Sequence, residues 1–135
     1  MEIIEFIEIE VSLIDDIKNV YELISSGKKN GHIDEDKLGK ILGERFQSKF
    51  IHTKSESDEW LAKWRANSNI EMPWDFGSWV DALAESEVEL KPLEIDAMGK
   101  GNIKYNQLAW PTGGIDALKE IVRIFDGKLI INNGI

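Results

Sequence analysis

The 135-residue sequence contains no cysteine, three prolines and two histidines, and its acids greatly outnumber its bases. Without cysteine the chain can form no disulfide, no thiolate metal site and no cysteine nucleophile, a composition that fits a reducing compartment. His32 and His52 lie in separate polar segments without companions at the spacing of metal ligands. We therefore predict no metal site, no cofactor and no enzymatic activity.

Long hydrophobic runs are also missing, because no uninterrupted apolar stretch exceeds three residues. The start of the sequence, MEIIEFIEIEV, carries acids where a secretory signal requires a basic start and a continuous apolar stretch. A membrane-crossing helix would require about 20 consecutive apolar residues. We expect a cytoplasmic protein with no membrane association.

The charge balance is strongly acidic, with 16 lysines and arginines against 25 aspartates and glutamates and a net charge of −9. This charge repels phosphate backbones and anionic membranes, so we expect no nucleic-acid partner. Residues 1–16 carry six acids and no base, and residues 81–96 carry six acids against Lys91 alone. A macromolecular partner is therefore expected to be basic.

The N-terminal segment has the two-residue period of a half-buried strand, since Ile7, Ile9 and Val11 alternate with glutamates. Residues 12–15, SLID, resemble a capping box, which places the start of a helix there. Gly27 is a natural end for that helix because glycine interrupts helical propensity. The sequence thus predicts a strand followed directly by an amphipathic helix.

Two further helices are expected in the middle of the chain. Asp34 is a favourable N-cap for the first of them, whose apolar face runs from Leu38 to Phe50. Polar residues 52–57 predict a loop. A shorter helix follows, with Trp60 and Trp64 on its buried side.

The last third of the sequence alternates between strand and helix signals. A capping signature at Ser78 predicts a short helix, and then Val88 and Leu90 point inward between exposed glutamates. Pro92 cannot donate to a ladder, so this strand lies at an edge or carries a bulge. The remaining predicted elements are a turn at residues 98–102, a strand at 103–110, a helix at 115–125 and a strand at 128–131.

This order of elements predicts an α+β fold in a single domain spanning residues 1–135. Such a chain forms a mainly antiparallel sheet of about four strands, with helices packed on one face. We find no internal repeat and no linker that would divide it.

Two twelve-residue windows, residues 26–37 and 96–107, resemble EF-hand calcium loops in having glycine at position six and isoleucine at position eight. Lys28 and Lys37 occupy ligand positions in the first window, and Met98 and Lys100 do so in the second. An ammonium group at a ligand position opposes calcium, so neither window is predicted to bind it.

The glycine pair that follows Thr112 could form either an anion-binding loop or the start of a helix. Backbone amides at the start of a helix can hold an anion. However, Asp116 in the first turn already complements the helix dipole, and Thr112 can serve as the N-cap. We interpret the segment as a helix start. The alternative is a small-molecule-binding domain or enzyme with a pocket near the turn between Thr112 and Ile115.

An acidic strand is the first candidate for a partner-binding surface. Its carboxylates lie on either side of Pro92, at Glu85, Glu87, Glu89, Glu94 and Asp96. Outward charges on an edge strand can simply prevent aggregation. Alternatively, such a row docks on lysines and arginines of a basic protein, because complementary fields accelerate encounter and provide specificity.

An aromatic segment upstream of this strand is the second candidate. Five tryptophans are many for a chain of this length, and most are expected in the core. The segment MPWDFGSW presents Trp74, Phe76 and Trp79 close to acidic residues, a combination typical of binding hot spots. Core packing is the competing interpretation for these three side chains.

In overall character the chain resembles the immunity proteins of bacterial toxin systems, which are small, acidic inhibitors. The resemblance is carried by residues 85–89, Glu94, Asp96 and the aromatic segment. It implies that the protein covers the active site of a basic nuclease toxin domain, with carboxylates in the groove meant for nucleic acid and Trp74 or Trp79 as an anchor. An interaction or assembly domain that dimerises through its edge strand is a further alternative.

Overall fold

A computed structural model describes residues 2–69, 73–108 and 115–130 of the chain. The strands are β1 (Glu2–Ile7), β2 (Phe50–Ile51), β3 (Trp74–Asp75), β4 (Val88–Leu90), β5 (Glu94–Ile95), β6 (Gly101–Gln107) and β7 (Lys128–Ile130). The helices are α1 (Ile14–Asn30), α2 (Glu35–Leu42), α3 (Glu44–Ser48), α4 (Lys54–Ala66), α5 (Phe76–Glu85) and α6 (Ile115–Ile124), with a short 3-10 helix at Val11–Leu13 before α1.

The main sheet has five strands in the order β4-β6-β1-β7, and β5 lies beside β6 on the same edge as β4. All of its pairings are antiparallel. In the centre Ile4 lies opposite Ile103, and on the other side of β1 Phe6 lies opposite Leu129. A separate parallel pair joins β2 to β3, with α4 as the connection. The predicted α+β class with a mainly antiparallel sheet is confirmed.

One face of the main sheet forms the core with the helices. Ile4, Phe6 and Ile103 belong to a continuous cluster of buried side chains that includes Ile17 of α1, Trp79 of α5 and Leu118 of α6. The side chains that alternate with these buried residues along β1 and β6 point to the other face of the sheet, where they are half-buried or exposed. We call this second side the open face; it carries Ile3, Glu5, Ile7, Asn102, Lys104 and Asn106.

The first strand ends earlier than predicted. β1 stops at Ile7 because Glu8 adopts a left-handed backbone conformation with a φ of 67°. This break changes the alternation, so that Ile9 is buried whereas Val11 is 68% exposed. The predicted inward set of Ile7, Ile9 and Val11 is therefore wrong except at Ile9.

Helix α1 differs from the prediction at both ends. Its N-cap is Leu13, which makes no side-chain capping bond, so the predicted capping box is wrong. The helix continues through Gly27 and ends at Gly31, whose φ of 83° suits glycine. At Gly27 a Cβ atom would lie 2.8 Å from the His32 carbonyl oxygen, so the glycine permits a close approach instead of ending the helix.

The middle of the chain contains shorter elements than predicted. Asp34 caps α2 by accepting a hydrogen bond from the Lys37 amide at 3.1 Å, which confirms the predicted N-cap. The predicted face up to Phe50 does not belong to one helix, because Gly43 separates α2 from α3 with a φ of 58° and a ψ of −126°.

Helix α4 begins at Lys54 after the N-cap Thr53, within the segment that was predicted as a loop. None of its thirteen residues is buried, and Trp64 is 44% exposed. The predicted buried side is therefore wrong. Asp75, not Ser78, caps α5, since its carboxylate accepts a hydrogen bond from the Ser78 amide at 2.9 Å.

In the last third of the chain, the structure agrees more closely with the elements predicted from the sequence. Val88 and Leu90 are buried, and the edge is interrupted around Pro92 between β4 and β5, as predicted. Helix α6 and strand β7 also lie where they were expected, although Ile131 falls outside the described residues. Within the described ranges, none of the helices has the length and apolar content needed to traverse a bilayer.

Candidate protein-binding surface

The predicted carboxylates follow one edge of the sheet. β4 and β5 pair with successive parts of β6, so the carboxylates on and next to these strands follow this edge of the sheet, and Glu85 precedes them as the last residue of α5. We call these exposed residues the acidic edge: Glu85, Glu87, Glu89, Glu94 and Asp96. The structure thus places all five along or beside one edge, and their role in partner binding stays a prediction.

Three of these carboxylates have partners within the protein. Glu89 receives hydrogen bonds from Lys91 at 2.5 Å and from Asn106 at 3.3 Å, and these contacts lower its pKa. Glu94 forms an ion pair with Lys104 at 3.1 Å, which lowers the pKa of Glu94. These groups are therefore ionised at neutral pH, while the two lysines partly compensate their charge.

Asp96 has a different environment, at the start of the turn between β5 and β6. Its carboxylate accepts hydrogen bonds from the backbone amides of Lys100 at 3.1 Å and Met98 at 2.8 Å, which lower its pKa. Glu85 and Glu87 form no ion pair with any described residue. The acidic edge therefore combines two free carboxylates with three that the fold holds in place.

The two acid-rich segments of the sequence meet at the end of this edge. The Ile9 amide donates a hydrogen bond to the Gly99 carbonyl at 3.2 Å, which places the exposed Glu8 and Glu10 beside the β5–β6 turn. Gly99 has a φ of 81°, and a Cβ atom there would lie 1.9 Å from the Ile9 carbonyl oxygen. Only glycine fits this contact, so the turn and residues 8–10 are held tightly together.

The aromatic segment does not form the predicted surface. Trp79 is fully buried, donates a hydrogen bond from Nε1 to the Ala117 carbonyl at 3.0 Å, and packs on Phe50. Phe76 is 8% exposed and makes edge-to-face contacts with Phe46 and Phe50. Neither Phe76 nor Trp79 can contact a partner, and the core interpretation is right for both.

Trp74 occupies an intermediate position, because it is half-buried and packs against the core as the first residue of β3. The role of Trp74 as an anchor for a partner stays a prediction. The tryptophan with the largest exposed fraction among the described residues is Trp64 on α4, which the sequence placed on a buried side.

The open face carries a site that the sequence did not reveal. The strand register places Asn102 of β6 opposite Glu5 of β1 and opposite Glu94 of β5, so the three side chains form a row across three strands. A groove of about 540 Å³ lies over this row. Its lining consists of Glu5, Glu94, Ile95, Asp96, Lys100, Gly101 and Asn102.

One buried acceptor in this groove lacks a donor, since the Oδ1 atom of Asn102 is buried without a hydrogen-bond partner. Glu5 is half-buried and has no ion pair within the part of the chain that the structure describes. The two-residue period of β1 predicts that Glu5 and Phe6 point to opposite faces of the sheet. The sequence contains no signal for the pairing of β1 with β6, which brings Glu5 beside Asn102.

The two segments that resemble EF-hand calcium loops, residues 26–37 and 96–107, adopt other structures. In the first, helix α1 extends to Asn30, and the Lys28 ammonium donates to the carbonyls of Leu83 and Ser86 and to the Ser86 hydroxyl at 2.7 to 2.8 Å. These hydrogen bonds tie α1 to the end of α5, and the burial of the ammonium group lowers the pKa of Lys28. The second window consists of the turn between β5 and β6 and of β6 itself. Across the described ranges, no three histidine, aspartate or glutamate side chains are grouped so that they could hold a metal ion.

The alternative pocket near the turn between Thr112 and Ile115 lies outside the described residues, apart from Ile115 at the start of α6. Comparison of the chain with protein-family models, curated proteins and solved structures finds no match.

Proposed function

We propose that the protein binds a basic protein partner and acts as an immunity protein that occludes the active site of a nuclease toxin domain. The observation that carries this proposal is the hydrogen bond between Ile9 and Gly99, which attaches the first acid-rich segment to the turn that follows the second. The exposed Glu8 and Glu10 therefore lie beside the end of the acidic edge and add their charges to it.

Electrostatics supports a basic partner. A row of carboxylates on a chain with a net charge of −9 attracts lysines and arginines and accelerates their association. The ion pairs of Glu89 and Glu94 lie at the surface, and such pairs contribute little free energy. A partner's cations can therefore replace Lys91 and Lys104 at small cost.

The geometry of the edge favours side-chain contacts over strand addition. β4 and β5 have three and two residues, and the break at Pro92 interrupts the row of backbone groups that a second strand would require. These features support the charged surface, and not dimerisation through the edge strand, as the mode of interaction.

The proposal is tested by co-expression with the proteins encoded by the neighbouring genes, followed by measurement of complex formation and of nuclease activity. We expect the wild-type protein to form a complex that weakens with salt and to inhibit the nuclease. The double reversal Glu87→Lys, Glu89→Lys should slow association by roughly tenfold or more, because rim charges act mainly on the association rate.

The matched control is Asp58→Lys, Glu59→Lys, which changes the net charge equally on the exposed surface of α4. If both double variants slow association equally, the acidic edge is not the interface. If the wild-type protein binds no basic partner even at low salt, the proposed function is wrong.

A further inference from the structure

The groove on the open face has the shape and chemistry of a receptor for one cationic side chain. Resting on the proposed function, we infer that this groove binds an arginine side chain of the basic partner, between Glu5 and Glu94 and above Asn102. The groove would thus supply a specific contact, in addition to the general attraction of the acidic edge.

The strand register defines the geometry of the groove. Directly opposite residues on neighbouring strands have Cβ atoms roughly 5 Å apart. Asn102 is opposite both Glu5 and Glu94, so the two carboxylates stand on either side of its carboxamide, roughly 10 Å apart at Cβ. A planar group lying over Asn102 can therefore meet a carboxylate at each end.

One buried acceptor in the groove requires a donor. The Asn102 Oδ1 atom is buried without a partner, and the half-buried Glu5 beside it has no ion pair among the described residues. A buried acceptor without a hydrogen bond is unfavourable, and a ligand that supplies the donor removes this cost. Because Oδ1 is covered in the free protein, binding includes rotation of the Asn102 carboxamide, whose terminal torsion is soft.

The charges in and around the groove fit a single monovalent cation. Glu5, Glu94 and Asp96 contribute three negative charges, while Lys100 lines the groove and Lys104 pairs with Glu94. One negative charge is left uncompensated. Met98, at the tip of the adjacent turn, is 84% exposed and offers an apolar contact to the stem of a long side chain.

A guanidinium group suits this arrangement better than other cations. It presents five N–H donors in one plane and accepts no hydrogen bond, and its fork matches carboxylates in a bidentate manner. An ammonium group directs its three donors from a single atom, so it meets two carboxylates only where both approach that atom. A divalent ion requires several closely grouped carboxylates, which the described part of the chain does not provide.

The test uses a blocked pentapeptide with one arginine between glycines, and the same peptide with citrulline, the neutral isostere of arginine. Binding is followed through the backbone amide resonances of the ¹⁵N-labelled protein. We expect the arginine peptide to cause saturable shifts at Lys100, Gly101 and Asn102, and the citrulline peptide to cause none. Glu5→Gln should raise the Kd of the arginine peptide about tenfold, since it removes a charge-assisted hydrogen bond.

The matched control is Glu59→Gln, which removes the same charge from the exposed surface of α4, outside the groove and the acidic edge. It should change the Kd less than about twofold, because exposed charges are screened by salt. If Glu5→Gln reduces the chemical-shift dispersion of the amide spectrum, and so unfolds the protein, Glu94→Gln provides a second groove variant at an exposed position. This variant should also raise the Kd of the arginine peptide.

Three results would overturn the inference: no shifts in the groove with the arginine peptide, equal weakening of peptide binding by Glu5→Gln and Glu59→Gln, or identical shifts with calcium chloride, which would then displace the peptide. None of these results decides the proposed function, which complex formation with the basic partner measures separately. Conversely, binding of the arginine peptide without any basic protein partner would leave the groove intact and contradict the immunity role.

Discussion

The two faces of the main sheet are built from the same strands but differ in the chemistry of their side chains. On the helix-covered face, Ile4 and Phe6 are buried in the apolar core, where Trp79 also packs with its indole N–H paired to a carbonyl. On the open face, Glu5 and Asn102 are polar and half-buried. Because apolar burial is the main source of stability, the helix-covered face holds the fold together, and the polar character of the open face supports our inference that it is a binding surface.

The strongest test of this contrast is Trp79→Ala on the helix-covered face. The variant should lose about 3 to 5 kcal/mol of unfolding free energy, because it leaves a large cavity in the core. Urea unfolding measures this loss. Trp64→Ala on α4 is the control, and its effect should stay within about 1 kcal/mol, since Trp64 is 44% exposed. Similar losses in both variants would contradict the assignment of Trp79 to the core and Trp64 to the surface.

A smaller effect is expected at Tyr21, which ties α1 to the strand break by donating a hydrogen bond to the Lys91 carbonyl. Tyr21→Phe should cost about 1 kcal/mol at pH 7. Burial, with a smaller contribution from the Glu22 charge, raises the pKa of Tyr21 to about 12. The unfolded chain, with a tyrosine pKa near 10, loses this proton first, so the stability that Tyr21 contributes is complete below pH 10 and declines as the pH rises towards 12.

Urea unfolding between pH 9 and pH 11.5 measures this dependence. The wild-type protein should lose up to about 1.4 kcal/mol per pH unit more than Tyr21→Phe above pH 10. The variant is the necessary comparison because the lowered pKa of Lys28 acts in the opposite direction in both proteins. Parallel curves for the two proteins would show that Tyr21 ionises in the folded state as readily as in the unfolded state.

The smallest effect on stability is expected on the open face. Glu5→Gln should change the unfolding free energy by less than about 0.5 kcal/mol, because Glu5 has no ion pair to lose within the described residues. Urea unfolding at pH 7 checks this value. A loss above about 1.5 kcal/mol would assign Glu5 a structural role and remove the difference between the two faces.

Local chemistry explains the parts of the fold that the sequence predicted. Asp34 caps its helix through its own side chain, and Val88 and Leu90 point inward because the strand period determines their direction. Pro92 interrupts the edge because it has no N–H to donate. Each of these outcomes depends on residues that are close together in the sequence.

The errors arise where a distant segment decides the role of a residue. Gly27 was interpreted as a helix end, but it allows residues 32 and 33 to pass closely against α1. Trp79 was a candidate for partner binding, but the helix capped by Asp75 directs it into the core against α6. The row formed by Glu5 and Asn102 depends on the pairing of β1 with β6, which no local pattern specifies.

The position of β1 in the sheet also has a consequence for synthesis of the chain. β1 precedes its two neighbours in the sheet, β6 and β7, which both belong to the last third of the sequence. The strand therefore cannot pair in this sheet until residues 101–130 have been synthesised. Folding dominated by such long-range pairing is slow and prone to aggregation, and Glu2 and Glu5 give the unpaired strand charges that oppose aggregation.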